Sequence, residues 1–229
     1  MPRLARIYLG EGIFHILTRG NNKQIVFHDK KDFQAYKEIL QEIKKEQPYK
    51  LYHYCLMDNH VHLIIETNRD TELSKLMKRI NLKYYNHYKR RYGYCGHFWQ
   101  DRFKSLLIDR DEYLLACGLY IERNPVRAKI VKTAEEYKYT SYRVYAYGEK
   151  DGVTEEDPFY TEIGKSEKQR QQAYRQLFLD TEKGLTEKIF NQLYLGDDEF
   201  VAKMEKQFGV KNIHFQRGRP NKKGAVLLK

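Results

Sequence analysis

Two apolar runs separated by three residues constrain this chain more than any other feature. Tyr49 to Leu56 is aromatic or apolar at most positions, Met57-Asp58-Asn59 follows, and His60-Val61-His62-Leu63-Ile64-Ile65 resumes the pattern. Short runs rich in aromatic and β-branched residues read as strands, and so brief a link joins them as an antiparallel pair. Alternation with period two then places His60, His62 and Ile64 on one face and Val61, Leu63 and Ile65 on the other. The Cα atoms of the two histidines fall roughly 6.5 to 7 Å apart, near enough for both imidazoles to reach one divalent cation. The same spacing suits two rings each hydrogen-bonded to a neighbour with no metal, so the pair alone leaves both readings open.

The rest of the first 147 residues supplies a sheet and its helices. Gly12 to Thr18 reads as a buried strand ending at the turn Arg19-Gly20-Asn21-Asn22. Residues 30 to 46 place Phe33, Tyr36, Ile39, Leu40 and Ile43 at helical spacing, and Pro48 ends that helix. His53, on the strand before the histidine pair, is expected in or near the core. A second helix covers residues 71 to 92, with Leu73, Leu76, Ile80, Tyr84 and Tyr88 on one stripe, and Gly93-Tyr94-Cys95-Gly96 stops it. His97 to Phe103 then leads into a strand reaching Ile108, with Trp99, the single tryptophan, taken as a core residue. Asp109 is placed as the cap of a third helix, with Glu112 in capping-box position and Leu114, Cys117 and Ile121 on the buried stripe. Asn124-Pro125 ends that helix, because proline disfavours α geometry at the residue before it. Tyr120 and Asn124 are i and i+4, so a phenol and an amide share one helix face. Read alone they are a surface tyrosine and a helix-ending asparagine.

Charge narrows the class of partner. The chain has 42 Lys plus Arg against 31 Asp plus Glu, a net charge of +11, which favours a polyanion such as nucleic acid. The excess is divided: residues 1 to 147 hold 27 basic against 17 acidic, residues 148 to 210 hold 9 against 14, and residues 211 to 229 hold 6 against none. The second helix carries Lys75, Lys78, Arg79, Lys83, Lys89, Arg90 and Arg91 with Glu72 as its one acid, an imbalance that a bound phosphate backbone would relieve. Lys75, Lys78, Arg79 and Lys83 are accordingly candidates for backbone contacts. Twenty tyrosines suit a surface on which bases stack. Cys55, Cys95 and Cys117 show no C-x-x-C spacing, which points away from a disulfide framework or zinc ribbon. There is no run of 18 apolar residues and no opening signal peptide, so a soluble, cytoplasmic, nucleoid-associated protein without membrane contact is expected.

The chain divides into a main domain over 1–147, an acidic linker or exposed loop over 148–165, a helical extension over 166–210 with helices near 166 to 180 and 185 to 208, and a basic tail over 211–229. Gly209 is placed as the stop of the last helix. Gln216-Arg217-Gly218-Arg219-Pro220 resembles an AT-hook, which makes Arg217 and Arg219 candidates for DNA contact, although so short a motif also fits a plain basic tail.

Three blocks in order, Asp58-Asn59-His60-Val61-His62-Leu63, Phe98-Trp99-Gln100-Asp101-Arg102-Phe103 and Tyr120-Ile121-Glu122-Arg123-Asn124-Pro125-Val126-Arg127-Ala128, resemble the REP-associated tyrosine transposases. These form part of the single-tyrosine branch of the HUH superfamily, named for its His-hydrophobe-His strand, and the resemblance spans about residues 7 to 147. It implies an α+β fold, an antiparallel sheet flanked by helices in a ferredoxin- or RRM-like arrangement, here with a small helical C-terminal extension. It implies His60, His62 and Asn124 as ligands of Mg²⁺ or Mn²⁺ and Tyr120 as nucleophile, where some relatives have glutamine at the position of Asn124. The implied activity is metal-dependent cutting and rejoining of single-stranded DNA near hairpins through a 5′-phosphotyrosine. A hydrolytic metal nuclease and a domesticated hairpin-binding protein that no longer cuts are the alternatives. Insertion-sequence relatives exchange the tyrosine helix between subunits, and whether this chain is monomer or homodimer stays open.

Overall fold

The computed structural model describes residues 11–110, 112–180 and 192–212. Strand β1 (Gly12–Arg19) is followed by helix α1 (Lys30–Glu46), the hairpin of β2 (Lys50–Met57) and β3 (His60–Thr67), helix α2 (Leu73–Tyr92) and strand β4 (Lys104–Ile108). The sheet order is β2-β3-β1-β4, with every pair antiparallel. This β-α-β-β-α-β succession is the ferredoxin-like arrangement the sequence points to. The two helical connections run in opposite senses along the sheet between strands of opposite direction. One right-handed crossover preference therefore lays both on the same face.

Alternation decides what meets them there. Phe14 and Ile16 of β1, Leu51, Tyr54 and Leu56 of β2, and Val61, Leu63 and Ile65 of β3 pack with Phe33, Tyr36, Leu40 and Ile43 of α1 and Leu76, Ile80 and Tyr84 of α2. Asp29 caps α1 by accepting from the Lys31 N–H at 2.8 Å. Gly93 ends α2 with φ +64°, a left-handed conformation that favours glycine. Buried Asp32 on α1 accepts from Arg91 at 2.6 Å and from the Tyr92 hydroxyl at 2.8 Å, which fixes the far end of α2 to α1.

The opposite sheet face is covered by α3 (Glu112–Glu122), continued by the single turn α4 (Asn124–Arg127). Leu114, Cys117, Tyr120 and Ile121 pack there on Ile13, Tyr52, Cys55, Met57, Ile64 and Leu106. The Glu112 side chain of the capping box expected at Asp109 lies outside the described residues. The Asp109 carboxylate accepts from the adjacent Arg110 N–H at 2.8 Å, and α3 runs from Glu112. The Asp109 backbone N–H bonds Leu195 O at 2.7 Å, because the chain is still following the sheet edge.

The segment beyond residue 147 is knitted into this domain. Helix α5 (Tyr142–Tyr147) leads to residues 148–165, read from their charge as a linker or exposed loop. In the structure Val153, Asp157 and Tyr160 are buried, and Glu155 bonds both the N–H and the C=O of Leu51 at 2.8 Å. Together with Tyr139 and Ser141, which bond the backbone of Leu56 and Tyr54, this segment covers the free edge of β2. Helix α6 (Glu167–Asp180) matches the expected 166 to 180. Of the helix expected over 185–208, the part from Asp198 to Phe208 is present, and the chain ahead of it holds a short strand. Residues 181–191 lie outside the described residues, Tyr194–Leu195 form β5, parallel to β4, and α7 spans Asp198–Phe208 with Gly209 at its end at φ +64°. Strand β5 closes the other sheet edge, giving the order β2-β3-β1-β4-β5. No helix among the described residues is long and apolar enough to cross a membrane.

Candidate active site

His60 and His62 stand on the α3 face of β3, since Val61 and Leu63 fill the α1–α2 core. Their ring centroids are 5.0 Å apart with planes at 77°. Each ring uses Nδ1 to bond a neighbour. The Nδ1 of His60 lies 2.5 Å from Asn59 Oδ1, and Asn59 turns its amide N–H to Lys23 O at 3.4 Å, so the histidine is the donor. The Nδ1 of His62 lies 2.8 Å from His15 Nε2. Burial, with the Arg19 charge adding to it, lowers His60 to about 4. His62 is held well below the ordinary histidine value by burial and by the neighbouring His15, His60 and Arg19. Both rings are therefore neutral at pH 7, the form that has a lone pair to give to a cation.

Arg19 is the charged neighbour of the pair. It faces His60 across the β1–β3 ladder, and its Nε is buried with no hydrogen-bond partner. Nothing local in the sequence marks it, because it reads as the first residue of a turn. Only the register of β1 on β3 brings it to the histidines.

Tyr120 lies in the same buried cluster as Cys55 and Met57, whose partners across the β2–β3 ladder are His62 and His60. Its ring is 7% exposed, and the Arg127 guanidinium sits 4.8 Å above it. Asn124 follows one turn later at the start of α4, where Arg123 keeps helical backbone angles, so the i, i+4 relation survives the break between the two helices. Asn124 Nδ2 is buried without a hydrogen-bond partner. The two ends of an amide are distinguished only by their partners, so a half-turn of the side chain presents a carbonyl oxygen at the same place. Among the described residues no cluster of three or more His, Cys, Asp and Glu is arranged to hold a metal. An amide oxygen of Asn124 is of the chemistry that suits Mg²⁺ or Mn²⁺.

The other side of α3 is held by a buried ion network. Gly118 leaves room for the His53 ring, since a Cβ there would come within 2.5 Å of it. His53, in the core as expected, lies 3.0 Å from both Glu122 and Asp157, and all three side chains are fully buried. Glu122 also accepts from Ser141 Oγ at 2.5 Å and from the Tyr174 hydroxyl of α6 at 2.7 Å. Burial alone would lower His53, but the hydrogen bonds and charges of Asp157 and Glu122 outweigh it and raise it to about 9.

The basic helix lies elsewhere. Helix α2 is on the sheet face opposite the histidines, and its charge imbalance is relieved from within the protein. Lys75 pairs with Glu72 at 2.8 Å, Lys83 with Glu42 at 2.6 Å, Arg79 with Glu46, and Arg91 with Asp29 and Asp32. Acids of α1 thus answer Arg79 and Lys83, and Glu72 at the start of α2 answers Lys75, so these three need no bound polyanion to balance them. Lys78 is exposed on the same helix. We predict that Lys78→Ala lowers the salt dependence of DNA binding by about one counterion, while Lys83→Ala leaves it nearly unchanged, as fluorescence anisotropy across a salt series would report. Arg217 and Arg219 lie outside the described residues.

Residues 10–124 match the family described as IS200-like transposases. The match takes in 115 of 229 residues, from just before β1 to Asn124. The chain belongs to this family and is a transposase, an enzyme that cuts DNA and transfers the cut strand. No curated protein matches the chain in sequence. Among solved structures, that of a REP-associated tyrosine transposase bound to a REP hairpin has a TM-score of 0.56 at 19% identity, over 69% of this chain and 93% of that one. At that identity the likeness establishes the shared α+β fold. A putative transposase from Deinococcus radiodurans R1 has a TM-score of 0.38 at 16% identity, over 59% of this chain and 97% of that one.

Proposed function

We propose that this transposase acts on single-stranded DNA beside hairpins, in the manner of the REP-associated branch, with Tyr120 as nucleophile and a divalent cation, Mg²⁺ or Mn²⁺, held by His60, His62 and Asn124. The observation that carries the reading is the shared orientation of the two histidines. Both spend Nδ1 on an internal hydrogen bond, and among the described residues neither makes a hydrogen bond through Nε2. The cation would supply positive charge at a non-bridging phosphate oxygen. The likeness to a hairpin-bound REP-associated transposase favours a hairpin-bearing substrate.

The chain's own residues then have distinct tasks. The Tyr120 hydroxyl oxygen attacks phosphorus and forms the phosphotyrosine ester, the bond from phosphorus to the 3′ oxygen breaks, and that oxygen leaves as a 3′-hydroxyl. One phenolic proton is lost and one hydroxyl proton gained, so the exchange is balanced and stores the ester for rejoining to a new 3′-hydroxyl. Arg127 over the phenol ring and Arg19 beside His60 make the site electropositive, which draws in an anionic strand. A single strand is required because a duplex would block in-line approach.

The test is incubation with hairpin-bearing single strands from the flanks of its own gene in Mn²⁺ or Mg²⁺, followed by denaturing electrophoresis and peptide mapping. A denaturant-resistant adduct on Tyr120 supports the reading. Cut DNA with no adduct would replace it with a hydrolytic nuclease. Tight binding of the hairpins without cutting would replace it with a domesticated binder.

A further inference from the structure

Resting on the metal reading above, we infer that His15 is a positioning residue for the site: its Nε2 accepts the Nδ1–H of His62 and so fixes which nitrogen of His62 faces the cation. The two histidines of β3 each have a backing acceptor. For His60 it is Asn59 Oδ1, whose identity is set by the Asn59 amide N–H to Lys23 O. For His62 the corresponding position is filled by His15 Nε2 at 2.8 Å. The planes of the His15 and His62 rings differ by only 10°, with centroids 5.1 Å apart. That separation equals the nitrogen–nitrogen distance plus the two ring radii, so the rings lie edge to edge in one plane. This is the geometry of an N–H···N hydrogen bond, not of face-to-face contact.

Register makes the contact. Leu17 is the partner of His62 and His15 the partner of Ile64, so His15 reaches His62 on the diagonal of the same sheet face, a span that two aromatic side chains can close. Both rings are buried, which holds the pair against rotation. A metal-ligating histidine is ordinarily oriented by an acceptor on its other nitrogen, and removal of such a partner typically weakens metal binding 10- to 100-fold. A carboxylate in this role would add negative charge where an anionic strand must approach. A neutral imidazole orients His62 without that cost.

The experiment measures Mn²⁺ binding to the full chain without DNA, by the electron paramagnetic resonance signal of free Mn²⁺. His15→Phe, which keeps a ring but removes the acceptor, is expected to bind about 10- to 100-fold more weakly, while His15→Gln, whose side-chain oxygen can accept, recovers most of the affinity. Thermal unfolding in chelator checks that both variants are folded. If folded His15→Phe binds Mn²⁺ as tightly as the unaltered protein, the inference is overturned while the metal reading stands. If the unaltered protein takes up no Mn²⁺, the metal reading fails and the inference falls with it. Long-range ¹H–¹⁵N spectra of the unaltered, metal-free protein give a decision even if His15→Phe does not fold. His62 protonated on Nδ1 supports the inference, and His62 protonated on Nε2 overturns it.

Discussion

Tyr120→Phe is expected to abolish covalent capture of DNA and to lower the cutting rate by about 10⁴ to 10⁶, the loss seen when a covalent nucleophile is deleted. Binding should survive. The ring remains to pack with Cys55 and Met57 and to lie under Arg127, so only the hydroxyl is removed from a cluster that is otherwise apolar. Single-turnover cleavage of a hairpin-bearing strand, measured beside anisotropy on the same DNA, separates the two effects. An unchanged rate would exclude Tyr120 as nucleophile and leave water in that role. His60→Ala should also stop cutting, but it differs in kind, because it should lower Mn²⁺ affinity as well, which Tyr120→Phe should leave intact.

Asp157→Ala is expected to destabilise the fold by about 3 to 5 kcal/mol, because it leaves a buried charged imidazole with one partner fewer. His53 also makes the pH dependence specific. Its value is raised from an ordinary 6.5 to about 9 in the folded chain, so the stabilisation is fully present below pH 6.5 and is lost as pH rises through 9. The full loss for this one group would be on the order of 3 kcal/mol. Thermal or urea unfolding should therefore show falling stability between pH 6.5 and 9.5. In Asp157→Asn the fall should be smaller, since only Glu122 is left to favour the protonated ring. An unchanged profile in that variant would show that Asp157 does not hold the proton on His53.

What could be read in advance was what depends on neighbours in sequence. The faces of β3, the stripes of α1 and α2 and the stop at Gly209 follow from local periodicity and backbone preference, and the structure has them where they were expected. What local pattern does not show depends on partners far along the chain. The cations of α2 looked unbalanced because Glu42 and Glu46 lie on another helix. Residues 148–165 looked like a solvated linker because composition records the charge of Asp157 but not the His53 that meets it, 104 residues away. His15 passed as one more member of a buried strand, and its contact with His62 exists only through the pairing of β1 with β3. Strand β5 is two residues long and parallel, too short to show any alternation of its own.

The network behind α3 bears on how copies of the protein can be built. A helix that carries a nucleophile can be traded between two subunits when little holds it to its own sheet. Here Glu122, on the side of α3 away from Tyr120, is bound to β2 through His53 and to α6 through Tyr174, and Asp157 grips the same imidazole. Swapping α3 into a second copy would pull a charged imidazole from a carboxylate in a dry interior, a step with a high barrier and no solvent to compensate. Under the reaction proposed above, the segment after residue 147 would act as a latch that favours Tyr120 and the histidines of one polypeptide working together.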